Sequence, residues 1–149
     1  MIAALQTPLA WWRRAIAVLE ALQPLAQLLA RLFVAQAFFL SGLTKLRDWD
    51  ITLALFTDEY HVPLLPPNVA AVLGTGGELV LPVLLALGLA GRFAAAGLSV
   101  VNIVAVLSLA EIAPAALHQH QLWGSLLAGL LLWGPGRWSV DALLMRRLA

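Results

Sequence analysis

The sequence predicts an all-α membrane protein: a four-transmembrane-helix bundle preceded by an N-terminal amphipathic interfacial helix. Three observations carry this expectation. Of 149 residues, 62% are hydrophobic and 11% charged, against roughly 45–50% and about 25% in soluble domains. So few charges cannot coat a water-soluble globule of this size. The apolar residues fall into four blocks of about 20, the length that crosses a bilayer core. Little chain is left outside those blocks, so residues 1–149 read as a single membrane domain.

The elements follow in order. Trp11, Trp12, Arg13 and Arg14 precede an apolar run in which positions 12, 15, 16, 19 and 22 recur at helical spacing. Gln6, Arg13, Glu20 and Gln27 fall seven apart on a polar stripe. The pattern predicts a helix lying in the interface, with tryptophans at headgroup level. A signal peptide is the weaker reading, because Glu20 and Pro24 interrupt its apolar region. The first span is expected at 25–46. On it Arg31, Phe38, Gly42 and Lys45 share a stripe flanked by Ser41, while Gln36 lies opposite. Arg31 and Lys45 either snorkel to the two interfaces or place their stripe inside the bundle.

Residues 47–67 are too polar to span. Trp49, Phe56 and Tyr60, interleaved with acidic residues, predict a short amphipathic segment on the membrane surface. Pro63, Pro66 and Pro67 stiffen the approach to a second span at 68–90, with Asn68 as its N-cap. Glu78 lies ten residues past Asn68, about 15 Å along the axis and close to mid-bilayer. Pro82 removes the helical donor for the Glu78 carbonyl and predicts a kink. Gly74, Gly76 and Gly77 invite close approach of another backbone. A third span at 93–112 carries small residues at Gly91, Ala95 and Ser99 and a mid-depth Asn102. A loop over 114–121 with His118 and His120 leads to a fourth span at 120–134. Trp123 and Trp133 mark its interfaces, and Ser125 and Gly129 give it a face for packing within the chain or in a homo-oligomer. Trp138–Arg147 reads as a terminal amphipathic segment.

Charge sets the expected orientation. With both termini cytoplasmic, the inside collects Arg13, Arg14, Arg92, Arg137, Arg146 and Arg147. The outside collects Lys45 and Arg47 beside Asp48, Asp50, Asp58, Glu59 and Glu111. The positive-inside rule favours this arrangement, in a plasma (inner) membrane. The three histidines then lie outside.

A carboxylate at the depth of Glu78 is expensive unless it meets a partner or a water-filled cavity. The expected cluster is Arg31, Glu78, Gln36, Asn102 and Lys45, with Arg31 as the first choice of counter-charge. A second expectation is a quinone slot, in which Arg31, Gln36, Asn102 or Lys45 donates to carbonyl oxygens and Phe38, Phe39 and Ser41 form the wall. A quinone alone transfers nothing, so a partner subunit would supply the redox centre. A third is an external metal site from His61, His118 and His120 with Asp58 and Glu59, suited to Cu(II) or Zn(II) rather than Cu(I). His118 and His120 are two apart, so a helix would point them apart and a loop would let them converge. The chain has no cysteine, which excludes thiol exchange, thiolate metal sites and cysteine-ligated clusters. A net charge of +1 supplies no electrostatic footprint for nucleic acid.

Arg31, the run FFLSGLTKL at 38–46, Glu78, and LGLAGR at 87–92 resemble the DoxX family of small four-helix membrane proteins, over about residues 25–112. DEYHVPLLPP at 58–67 and LWGSLLAGLLLWGPGRWSVD at 122–141 are similar to one branch of it. That branch is encoded beside small metal-binding peptides and the iron enzymes that modify them, in copper-associated systems. Other relatives are associated with thiosulfate:quinone oxidoreductase or with membrane complexes handling oxidative stress. Many relatives have a histidine where Asn102 stands. The resemblance implies an accessory membrane component of a redox or metal-stress system, not catalytic alone, acting with a membrane or soluble partner. The alternatives are a quinone-interacting oxidoreductase subunit and a small proton-coupled transporter.

Overall fold

The computed structural model describes residues 2–148, with side chains from residue 9 onward, and among them the chain forms helices and no strand. Helix α1 runs over Ile2–Arg47, α2 over Trp49–Asp58 and α3 over Pro67–Leu87. Helix α4 spans Gly91–Ser108, α5 Pro114–Trp133 and α6 Val140–Leu148. Three of these are long and apolar enough to cross a membrane: α1 over Leu9–Arg47, α3 and α4. In α5 the opening PAALHQHQ is too polar to join them, which leaves a short apolar stretch from Leu122 to Trp133.

The expected interfacial helix and first span are one continuous helix. Pro24 forfeits a single main-chain hydrogen bond, and its ring is buried beside Gln27 and the segment 134–137, so the helix continues through it. At about 1.5 Å per residue α1 is about 69 Å long, more than twice a bilayer core of about 30 Å. Every side chain from Leu9 to Gln23 is exposed. Apolar Trp11 and Val18 lie off the Trp12–Ile16–Leu19 face and are as open as it is. Gln6 of the polar stripe lies outside the described side chains. Other boundaries shift too. Helix α3 starts on Pro67 rather than after an Asn68 cap, using the proline preference for the first helical position. Helix α4 ends at Ser108, and α5 begins at Pro114, which places His118 and His120 on a helix rather than in a loop.

Helix α1 packs on α3, α3 on α4, α4 on α5, and α5 returns to α1, while α2 lies across α1 and α3. Val34 and Phe38 of α1 meet Leu85 of α3, Ala94, Ala95 and Leu98 of α4, and Leu127 and Leu130 of α5 in one core. The stripe Arg31–Phe38–Gly42–Lys45 therefore faces inward. At Gly42 the helices come close: a Cβ there would lie 2.9 Å from Leu79 Cγ and 3.1 Å from Glu78 Cβ. The glycines of α3 differ among themselves, Gly77 sitting close against α4 and Gly76 in open space. Gly74 faces Phe56, Gly77 faces Val101, and nothing lies within 4 Å of a Cβ at Gly76.

One end of the bundle is tied together around the α3–α4 turn. Gly88 ends α3 in the left-handed region at φ +66°, and its N–H bonds back to α3. Ala90 is also left-handed, at φ +48°. The Asp141 carboxylate of α6 holds that turn, accepting from the N–H groups of Ala90 and Gly91 at 2.8 Å each. This also places a negative charge at the N-terminus of α4, where the helix dipole favours it. Arg92 caps α5 from the same turn, donating to the carbonyls of Leu131 and Leu132.

Two glycine substitutions on one helix should separate turn strain from helix propensity. Gly88→Ala must adopt a positive φ and drive its Cβ into Arg31 and Ser139, so it should destabilise by about 2 kcal/mol or more. Gly76→Ala meets open space and should stabilise by up to about 1 kcal/mol. Thermal unfolding in detergent checks both signs.

Candidate ligand cavity

The membrane-depth charge of α3 finds its partner on α1. Lys45 Nζ lies 2.6 Å from Glu78 Oε2 and also donates to Ser41 Oγ at 2.9 Å. Their side chains are 14% and 10% exposed, so water screens the pair weakly. The main chain holds Lys45 in place as well, because Thr52 Oγ1 of α2 donates to its carbonyl at 2.8 Å. Asp48 caps α2, accepting from the Ile51 N–H at 3.0 Å, and this fixes where α2 lies.

Arg31, expected beside Glu78, sits elsewhere. It is 1% exposed, and its Nη2 donates to the Trp138 carbonyl at 2.6 Å. Its Nε and Nη1 have no hydrogen-bond partner among the described residues. Its neighbour on α3 is Gly88, ten residues beyond Glu78. Gln36 is exposed and takes no part in a buried cluster. Asn102, 6% exposed, pairs with His120: its Nδ2 donates to the His120 carbonyl at 2.9 Å, and its Oδ1 lies 2.7 Å from His120 Nδ1. The five residues expected to form one cluster are thus split among a Lys45–Glu78 pair, an Asn102–His120 pair, a remote Arg31 and an outward Gln36.

Between the two pairs lies a cavity of about 430 Å³, within the range of ligand pockets. Its walls are mostly apolar, with Ala37 and Phe38 of α1, Leu73 and Gly74 of α3, and Val100, Val101 and Val104 of α4. Trp123 closes one side, edge-on to Phe38 at 5.4 Å and to His120 at 5.1 Å. Phe56 and Tyr60, edge-on to each other at 5.1 Å, close the side under α2. The polar groups that line it are Ser41, Lys45, Glu78, Tyr60, Ser108 and His120. Burial first, and then the charges of Glu78 and Glu59, push the Tyr60 phenol above its ordinary value, which keeps it a neutral O–H. Leu73 and Val100 line the cavity and are also 59% and 60% exposed on the outer surface. These walls, with Leu65 ahead of α3, therefore border the outer surface.

Of the expected slot residues, Phe38 and Ser41 line this cavity and Phe39 does not. The histidines do not converge. His61 is exposed, with Nδ1 on the Glu59 carbonyl, His118 is exposed, and His120 faces inward. Among the described residues no group of three or more His, Asp or Glu side chains is placed to hold a metal ion.

A family model described as DoxX matches residues 26–111, more than half of the chain and the part that carries the second half of α1, all of α2, α3 and α4, and both members of the Lys45–Glu78 pair. The chain belongs to the DoxX family. Its three apolar helices agree with an integral membrane protein in contact with lipid. Comparison with curated proteins and with solved structures returns no match. The family match stops short of His120 and Trp123, so two of the groups that give this DoxX protein its cavity come from outside the matched region.

Double-mutant cycles should report the new pairing. Glu78→Gln or Lys45→Met alone leaves a buried group uncompensated and should cost about 3–5 kcal/mol, whereas the double variant should cost clearly less than the sum. Arg31→Met with Glu78→Gln should be additive within about 0.5 kcal/mol. Unfolding in one detergent at fixed protein concentration measures both cycles.

Proposed function

We propose that this protein is a membrane subunit that holds a neutral ring compound of the quinone class in the cavity between α1, α3, α4 and α5, and that it acts with a redox partner. The observation that carries the reading is the composition of that cavity. Flat aromatic walls from Phe38, Trp123, Phe56 and Tyr60 are interrupted by polar groups at Lys45, Tyr60 and His120. The Lys45 charge is cancelled by Glu78, so the cavity carries no net charge to attract an acid or a cation. Leu73 and Val100 border both the cavity and the outer surface, and in this reading an apolar tail leaves into lipid past them. The electrons must come from elsewhere, since the chain has no cysteine and no clustered metal ligands among the described residues. This makes an accessory role with a redox partner and a quinone-interacting role one reading. A metal-stress role through the histidines has no comparable support.

In this reading α5 is the fourth span. It is shortened by its polar first two turns, and it packs on α4 and α1 as a bundle member does. Four spans in the inner membrane put both termini in the cytoplasm, and the distribution of arginines favours that side.

Two measurements test the proposal. A decyl-tailed benzoquinone should quench the Trp123 component of the fluorescence saturably, at one equivalent per chain. Trp123→Phe should remove that component, and quenching that never saturates would defeat the reading. Because the chain lacks cysteine, single cysteines at Arg14 and Arg147 give a clean topology test. Both should be labelled only after the membrane is permeabilised. Labelling of one from each side would mean three spans.

A further inference from the structure

The polar lining of the cavity is asymmetric in a way that selects the oxidation state of its ligand. An amide oxygen accepts and an amide nitrogen donates. Asn102 makes both bonds to one residue, giving a hydrogen to the His120 carbonyl at 2.9 Å and receiving one from His120 Nδ1 at 2.7 Å. The two bonds close together only if His120 carries its ring proton on Nδ1. The neutral imidazole then has a bare lone pair on Nε2, the nitrogen opposite the Asn102 contact. The ring cannot easily rotate away, because it stands edge-on to Trp123. Nε2 has no hydrogen-bond partner among the described residues and is not a sealed orphan, as expected of an atom at a cavity wall.

The titratable and polar groups that share the cavity with His120 are few. Helix α1 supplies the Lys45 ammonium, already donating to Glu78 and Ser41. Helix α3 supplies Glu78, whose Oε2 takes Lys45. The segment after α2 supplies the neutral Tyr60 O–H, and α4 supplies only the neutral Asn102 and Ser108. A quinone offers only acceptors and would leave Nε2 facing an oxygen lone pair. A ring hydroxyl donates to Nε2 and leaves no lone pair opposed.

We infer that the cavity binds its ring compound in the reduced, hydroxyl-bearing form, a hydroquinone or phenol, with His120 Nε2 accepting the hydroxyl hydrogen and Asn102 fixing the tautomer. The inference rests on the cavity reading above and deepens it. Asn102 is the positioning residue, because it acts on the ligand through His120.

The test uses the full chain in lipid nanodiscs under anaerobic conditions, with a decyl-tailed benzohydroquinone and the matching benzoquinone as probes. The hydroquinone should bind about tenfold more tightly at neutral pH, the worth of one hydrogen bond. His120→Phe keeps an aromatic ring against Trp123 and should abolish that preference, bringing the affinities of the two probes within about twofold of each other. Asn102→Leu frees the tautomer and should reduce the preference without abolishing binding. The pH dependence has a definite sign. The preference is present where the imidazole is neutral and is lost as pH falls and Nε2 gains a proton, because a protonated Nε2 donates and then suits the quinone. In His120→Phe this dependence should vanish. Independently of any ligand, nitrogen NMR of His120 should show the Nδ1–H tautomer. An Nε2–H tautomer, or equal or tighter binding of the benzoquinone by the wild type, overturns the inference and leaves the cavity reading standing. Saturable binding of neither probe overturns both.

Discussion

Lys45 and Glu78 set the register of α1 against α3, and much of the rest follows from that register. A charge that would be cheap in water must be neutralised within the chain at this depth, so one helix cannot slide along the other without separating the two. Gly42, one turn before Lys45, is what lets the backbones come close enough: any Cβ there would press on Leu79 and on Glu78 itself. A buried pair of this kind is weak evidence for net stability, because desolvation offsets the attraction. Its clearer effect is on specificity. A slip by one turn, about 5.4 Å, would leave two unpaired charges in an apolar surround.

The opposite end of the bundle is held by main-chain capping. Arg31 is eleven residues back along α1 from Gly42, and Gly88 is ten residues forward along α3 from Glu78, about 15–17 Å in either helix. The antiparallel register that joins Gly42 to Glu78 therefore brings Arg31 to Gly88. There the guanidinium binds the Trp138 carbonyl, and the Asp141 carboxylate occupies the free N–H groups that open α4. The C-terminal segment is thereby fastened across the α3–α4 turn, even though α6 has no buried residue of its own. The closed core of Val34, Leu85, Leu98 and Leu127 lies between the ion pair and the caps, and the cavity lies at the level of the ion pair and beyond it, away from the caps. Small side chains such as Ala37, Ser41, Ala70, Gly74 and Ala105 line the cavity, where bulkier residues would have closed the core.

The membrane class, the spans of α1, α3 and α4, and the inward stripe of α1 are legible from hydropathy and helical spacing. The depth of Glu78 is legible too. Its partner is not, because depth along one helix says nothing of the register between two, and Arg31 and Lys45 lie on the same stripe. Gln36 was drawn into the cluster by depth alone, although its position opposite that stripe already pointed outward. The unbroken α1 was hidden by Pro24, whose usual meaning is overridden where one lost bond is covered by packing. His120 was hidden by the polarity of its neighbours. Pro114 carried the signal that places it, since proline is favoured at the first helical turn, and a helix from there puts His118 and His120 on different faces. Trp123 meets Phe38, and Asp141 holds Ala90 and Gly91, across more than fifteen residues of sequence, and no local pattern announces such contacts.

The cavity's chemistry follows from what the surrounding helices leave unsatisfied. Every strong charge near it is spent, Lys45 on Glu78 and Ser41, so electrostatic attraction cannot be what draws a ligand in. Recognition is left to the aromatic walls and to a few directional hydrogen bonds. Tyr60, pushed above its ordinary ionisation by burial, stays a donor, and His120, oriented by Asn102, stays an acceptor. A molecule that meets both must be neutral, ring-shaped and able to give as well as take a hydrogen bond. Under the proposed reading, the electrons such a ligand carries are exchanged with a redox partner.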